Sequence, residues 1–308
     1  MIQLGQAILK TLAYADVFDY PLLSEEIRKY LISPVRIPAS AIKKDLTLLV
    51  QKRLVGEKDG LYYLRGRKAI VSLRKKRLEF SRKKIAIAQK AARFLKLIPG
   101  VKAILITGSL ACLNAKQEDD IDWLIITGPE SLWLTRILAV LFLQLLGKRR
   151  LPGQAYVSDK ICLNVFLSQD CLALPVEERD LFAAHEIFQA KVLWQRKNVY
   201  RKFIEANLWA NRFLANGASF RGNSPSGDEA KKKQKQIRLD ALLFPLEKIA
   251  FWFQLAYMRP KRGSEKIEPK RALFHPEDVR DWLKKKYRRR LISLGISDWR
   301  EYDILILR

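Results

Sequence analysis

Asp120 and Asp122 stand two residues apart where an apolar run begins, Ile121-Asp122-Trp123-Leu124-Ile125-Ile126-Thr127. Positions two apart in a strand share a face, so both carboxylates point one way while Ile121 turns into the packing. A protein commonly gives Mg²⁺ one or two carboxylates and leaves its other positions to water and phosphate oxygens. Ahead of the pair, Val101-Lys-Ala-Ile-Leu-Ile-Thr107 is a second apolar run that ends in Gly108-Ser109. Glycine lets backbone approach closely, and the amides that open a helix, with a Ser hydroxyl, suit a phosphate. On the opposite reading Gly-Ser is an ordinary turn and Glu118-Asp119-Asp120 solvates a strand end. Against that stands Asp122, since a carboxylate inside an apolar run is costly to bury without a cation or donors.

An apolar strand, Gly-Ser, a short helix, then Asp-x-Asp in a second apolar strand resembles the nucleotidyltransferase superfamily. That superfamily includes DNA polymerase beta, the aminoglycoside nucleotidyltransferases and the minimal nucleotidyltransferases of toxin–antitoxin pairs. The resemblance runs from Val101 to Leu167. It implies that Gly108 and Ser109 hold a nucleoside triphosphate, that Asp120 and Asp122 form the catalytic pair and bind Mg²⁺, and that a nucleoside monophosphate moves to an acceptor. Family members carry a third acidic residue on a later strand, and here the candidate strand Ile161–Leu167 has Asn164 at its polar position. Asn164 can offer a metal an amide oxygen but brings no charge and cannot act as a base. Asp159 and Asp170 flank that strand as substitutes. Three states follow: an active enzyme with a variant site, an enzyme using another base, or a domain that only binds nucleotide.

The elements that position these residues make an α/β (α+β) chain. Apolar residues at helical spacing predict a helix over about residues 2–17. Ser24 and Ser40 read as caps of two further helices, and Asp59-Gly60 between short apolar runs reads as a hairpin. Residues 1–68 thus resemble a winged-helix domain, with Lys43, Lys44, Lys52 and Arg53 set to meet DNA. Asp45, expected among the exposed residues of that helix, argues instead for a docking module. Residues 69–98 read as a basic linker helix, whose Arg74–Arg77 and Arg82–Lys84 either track phosphates or are merely solvated. Residues 99–172 form the nucleotidyltransferase-like mixed sheet with flanking helices. Arg136, on the helix after the Asp pair, can reach a triphosphate or pair elsewhere. Residues 173–308 read as a helical C-terminal region, interrupted at about 216–236 by a Gly-, Ser- and Lys-rich flexible loop. His185 reads as a structural residue within a helix, and His275 as a helix-start residue before Pro276.

Lys and Arg number 58 against 32 acidic residues, a net charge of +26 that favours a polyanionic partner. The expected partners are a nucleoside triphosphate, and nucleic acid or a protein as acceptor. A generally basic protein complement is the plain alternative. Cys112, Cys162 and Cys171 lack zinc spacing and read as small core residues in a reducing compartment. With no signal-peptide pattern, the expected location is cytoplasmic. The apolar stretch 132–146 is short for a membrane span and carries Arg136, so it reads as a buried helix. Trp133, Phe142 and Lys148-Arg149-Arg150 leave open an interfacial membrane role.

Overall fold

Alternation along Ile121–Thr127 decides how the central layer forms. Ile121, Trp123 and Ile125 bury against one set of helices, while Leu124 and Ile126 bury against another, so this strand is covered on both faces. The computed structural model describes residues 2–151, 153–218, 233–258, 265–274 and 279–297. His275 and most of the expected flexible loop lie outside them.

The chain is mixed α/β. It begins with α1 (Ile2–Asp16), β1 (Leu22–Leu23), α2 (Ser24–Lys29), α3 (Ala39–Gln51), β2 (Val55–Lys58) and β3 (Leu61–Leu64). The hairpin turn has Asp59 and Gly60 at φ of 56° and 74°, the left-handed values that Asp-Gly tolerates. The three short strands pair in the order β1-β3-β2. Next come α4 (Ile70–Leu95), β4 (Val101–Ile106), α5 (Gly108–Ala111), β5 (Ile121–Thr127), α6 (Leu132–Leu145) and β6 (Ile161–Ser168). The remainder is α7 (Leu181–Gln189), β7 (Lys191–Gln195), α8 (Val199–Ala206), α9 (Lys233–Met258), β8 (Lys266–Glu268), β9 (Arg271–Leu273) and α10 (Val279–Ser293).

The large sheet has the order β7-β4-β5-β6-β9-β8, with β5 and β6 parallel and the other neighbours antiparallel. Three of its strands come from residues 173–308, which the sequence reading took as helical. Local periodicity reads a helix from Leu172 to about Leu193, but α7 spans only Leu181–Gln189 and Lys191–Gln195 is a strand. It pairs with β4, a long-range partner that local periodicity does not reveal.

Two cores sandwich this sheet. One joins Ile8 and Leu12 of α1, Leu105, Leu124 and Ile126 of the sheet, Phe188 of α7 and Leu283 of α10. The other joins Ala88 and Leu95 of α4, Ile104, Ile106, Trp123 and Ile125 of the sheet, and Trp133 and Leu143 of α6. Residues 1–68 therefore share a core with the sheet face that carries Asp122. Trp133 is 1 % exposed and its Nε1 donates to Pro269 O, so it is a packing residue and not a membrane anchor. Among the described residues no helix is long and apolar enough to cross a membrane.

Several basic residues of α4 hold the fold. Arg74 donates to Glu26 at 2.7 and 3.0 Å, and Arg77 is buried with its guanidinium on Phe18 O and Asn114 Oδ1. Lys84 is 1 % exposed and donates to Gln117 O, Asp119 O and Asp159 Oδ1 at 3.0, 2.6 and 3.0 Å. These three cannot track a nucleic-acid backbone. Asp45 is likewise buried, not exposed, because it falls on the face of α3 that carries Ile42, Leu46 and Leu49. Lys84→Met keeps the length of the side chain but leaves three acceptors without their donor. It should cost about 2–3 kcal/mol, read as a lower midpoint in urea with an unchanged slope.

Candidate functional site

The antiparallel pairing of β4 and β5 brings the Gly-Ser turn to the Asp pair. Thr107 donates its amide to Asp122 O at 3.1 Å, which sets the next residue, Gly108, beside the Asp122 side chain. Gly108 has φ of 64°, and a Cβ added there would lie 3.0 Å from Asp122 Oδ2. Both the backbone conformation and the close approach call for glycine at this point. Ser109 Oγ donates to Asp119 Oδ2 at 3.1 Å, tying the turn to the acidic segment that leads into β5. That segment is anchored from below by Lys84, through the carbonyl of Asp119.

Across the parallel pair, Asp122 is in register with Cys162 of β6, and the register shifts between Trp123 and Leu124. The shift places Asn164 as the extra residue on β6, and its Nδ2 donates to Asp122 Oδ1 at 2.7 Å. Asn164 thus serves Asp122 as a donor; the oxygen-ligand role expected for it is not the one this contact displays. Asp120, Asp122 and Cys162 each offer a ligand atom, and these lie within 4.8 Å of one another. Arg150, on the segment before β6, donates from Nη1 to Asp120 Oδ2 at 2.7 Å, with Cys162 Sγ at 3.7 Å from the same nitrogen.

These groups open into a cavity of about 880 Å³, within the range of small-molecule sites. Its walls come from α1 and α2 on one side, and from the Gly108 turn, the Asp pair, α7 and the start of β7 on the other. Glu186 of α7 faces the turn, where it accepts the Gly108 amide at 3.4 Å. Beside it His185 stacks flat on Tyr14, with ring centroids 4.0 Å apart and planes 8° from parallel.

The charges in this space are strained by enclosure. Asp122 is pushed up to about 8, first by loss of water and then by the charges of Asp120 and Glu186. Burial also raises Glu186, against the lowering effect of the Gly108 amide. Cys162 rises to about 12, chiefly by burial and then by Asp122, so it stays a thiol at neutral pH. His185 falls to about 3 by burial and is neutral.

Two hard carboxylates fit Mg²⁺, a protonated thiol does not, and the raised Asp122 marks a charge conflict that a cation relieves. Asp120 and Asp122 would hold the ion, with Arg150 already bringing one positive charge to the first of them.

The structure brings Gly108, Ser109, Asp120, Asp122 and Asn164 to one place. Arg136 is not in that wall. It is half-buried, bonds Gln254 Oε1, and lies over the Phe274 ring at 4.2 Å. Asp159 is taken by Lys84 and Asp170 by Lys270 and Ser168, so neither replaces a third acid at the pair. Sequence reasoning missed Glu186, Arg150 and Cys162. Glu186 follows His185 in an apolar helix, and only its partner, an amide 78 positions away, shows its role. Cys112 packs against the first core, as expected of it, and also lines the cavity, while Cys162 borders the Asp pair. The chain matches no protein-family model, no curated protein and no solved structure.

Since the folded pKa of Asp122 lies above its unfolded value, the native state binds the extra proton between about pH 4 and 8. Stability from this group is present below that window and declines as pH rises through it. Asp122→Asn keeps the acceptor for Asn164 but cannot ionise. Its melting temperature should fall less than that of the parent between pH 6 and 9, as followed by circular dichroism.

Proposed function

We propose that this chain is a Mg²⁺-dependent nucleotidyltransferase that transfers a nucleoside monophosphate from a triphosphate to an acceptor. One observation carries the reading: the Gly108 turn comes so near Asp122 that an added Cβ would lie 3.0 Å from Oδ2, and both line one cavity. A phosphate seated at the turn and a cation held by the two carboxylates can then share a ligand.

The mixed sheet, with the turn after one central strand and the Asp pair at the start of the next, supports a nucleotidyltransferase fold. The carboxylates' partner ion supplies neutralisation of charge developing on the phosphates when it is bound. The chain's own groups do the rest. Gly108 and Ser109 fix the phosphates, Asn164 orients Asp122, and Arg150 adds positive charge beside Asp120. Glu186 takes the part that Asn164 cannot. In the transfer, the acceptor oxygen bonds to the α-phosphorus, the bond to the bridging oxygen breaks and pyrophosphate leaves, while the acceptor proton passes to the Glu186 carboxylate. A raised carboxylate is a suitable base near neutral pH.

With Mg²⁺ and each labelled nucleoside triphosphate in turn, label should pass to a component of total RNA, lysate protein or small-molecule extract. Asp122→Asn should abolish transfer and Mg²⁺-dependent nucleotide binding, whereas Glu186→Gln should reduce transfer about 10²-fold or more while binding persists. Unchanged transfer by Asp122→Asn would sink the proposal.

A second reading is favoured by the first 64 residues. Their order of helix, strand, two helices and hairpin supports a winged helix, and with Asp45 buried the outer face of α3 is left to Lys43, Lys44, Thr47 and Gln51. On this reading that face docks a nucleic-acid groove while the cavity face of the same unit serves the nucleotide. Replacing Lys43, Lys44, Lys52 and Arg53 by Gln should weaken duplex DNA binding and flatten its salt dependence by up to about four phosphate contacts. Electrophoretic mobility shifts across a salt series read this directly, and an unaltered slope would remove the groove-binding role.

A further inference from the structure

The cavity holds positive charge that the Asp pair does not use. Lys29, the last residue of α2, and Lys191, the first of β7, both line it. The Cα of Lys191 is paired with that of Ile106, two residues before Gly108, so this cation stands beside the turn. No carboxylate forms a salt bridge with either lysine among the described residues; Lys29 instead lies over the Tyr30 ring at 4.9 Å. The nearby acids are engaged elsewhere. Glu26 accepts from Arg74, the Tyr20 hydroxyl and the Leu23 amide, Glu186 accepts from Gly108, and Glu25 is exposed on α2.

Both ammonium groups are held below their usual range, Lys29 by burial and then by the charge of Lys191, Lys191 by burial. Lys29 is half-buried and Lys191 exposed; the charge of Lys191 adds to the cost of Lys29, and Glu26, already bonded elsewhere, offsets only part of the cost of either. A polyanion lowers the cost of both at once, and a phosphate chain brings the several acceptor oxygens that two ammonium groups can use. The rest of the wall is of a different kind: Tyr14, Phe18, Tyr20, Tyr30, Phe182 and Trp282 make it largely aromatic. Such a wall packs the apolar or planar body of a small molecule.

We infer that Lys29 and Lys191 form an anion subsite at the α2–β7 end of the cavity, which takes the phosphate chain of a small phosphorylated molecule whose body packs on the aromatic wall. This deepens the nucleotidyltransferase reading and rests on it only for the chemistry at the Asp pair; the subsite itself needs no metal. Lys29 belongs to the first helical unit and Lys191 to the sheet, so the bound phosphates bridge the two. The phosphate comes either from the tail of the nucleotide or from the acceptor.

Inorganic tripolyphosphate titrated calorimetrically into the full chain in EDTA tests this. Binding should occur and weaken with added salt, and Lys29→Met and Lys191→Met should each lower affinity about tenfold, with melting curves verifying the fold. Lys43→Met with Lys44→Met, on the outer face of α3, should leave affinity unchanged, and because EDTA removes any metal the readout is independent of the Asp pair, which separates this result from failure there. A non-hydrolysable triphosphate with Mg²⁺ then identifies the source. Competition assigns the phosphate to the nucleotide tail, and simultaneous binding assigns it to the acceptor. No tripolyphosphate binding, or equal loss from the α3 pair and the cavity pair, overturns the subsite.

Discussion

The carboxylate of Asp122 is the constraint to which the site is fitted. It sits half-buried on a central strand between Ile121 and Trp123, both fully buried, so its carboxylate can face only the cavity. Its cost is met locally: Asn164 donates to one oxygen, and Arg150 neutralises the neighbouring Asp120. A glycine leaves room on the remaining side. Each of these three comes from a different segment, and β4, β5 and β6 must be in register for them to meet. A carboxylate placed so is poorly suited to stability and well suited to a cation, a common relation between stability and function at sites.

The first helical unit has two faces with different uses. Its α1 and α2 side closes the cavity and shares a hydrophobic core with the sheet, while the exposed side of α3 keeps its lysines in solvent. The turn of α2 that contributes Lys29 to the cavity is fixed from behind by Glu26, whose carboxylate bonds Arg74 of the linking helix and the Leu23 amide. Burial on one side and charge on the other follow from the same amphipathic spacing.

The net charge of +26 is likewise not one property. Arg74, Arg77 and Lys84 are absorbed into packing and into hydrogen bonds with backbone carbonyls, Arg150 into an ion pair with Asp120, and Arg271 into a buried pair with Glu178. Lys75, Lys76, Arg82 and Lys83 on the outer side of α4 remain exposed. In a run such as Arg82-Lys83-Lys84 the third residue turns inward and the first two do not, because successive residues of a helix lie about 100° apart.

Local pattern was enough to specify much of this protein. Two short apolar strands, the glycine turn between them, the shared face of Asp120 and Asp122, and the Asp59-Gly60 hairpin all depend on residues near one another in the chain, whose spacing carries the information. What spacing could not carry was pairing between distant segments. β7 joined the sheet at β4, β9 joined it at β6, and Glu186 reached the Gly108 amide, each through contacts whose partners are far apart in sequence. The same limit explains Arg136, which a helix wheel leaves ambiguous and which only the docking of α9 and the strand end at Phe274 drew away from the Asp pair. A sequence records which side chains are available and which way each leans on its own element. Which of them share a cavity is decided when nonlocal burial brings those elements together.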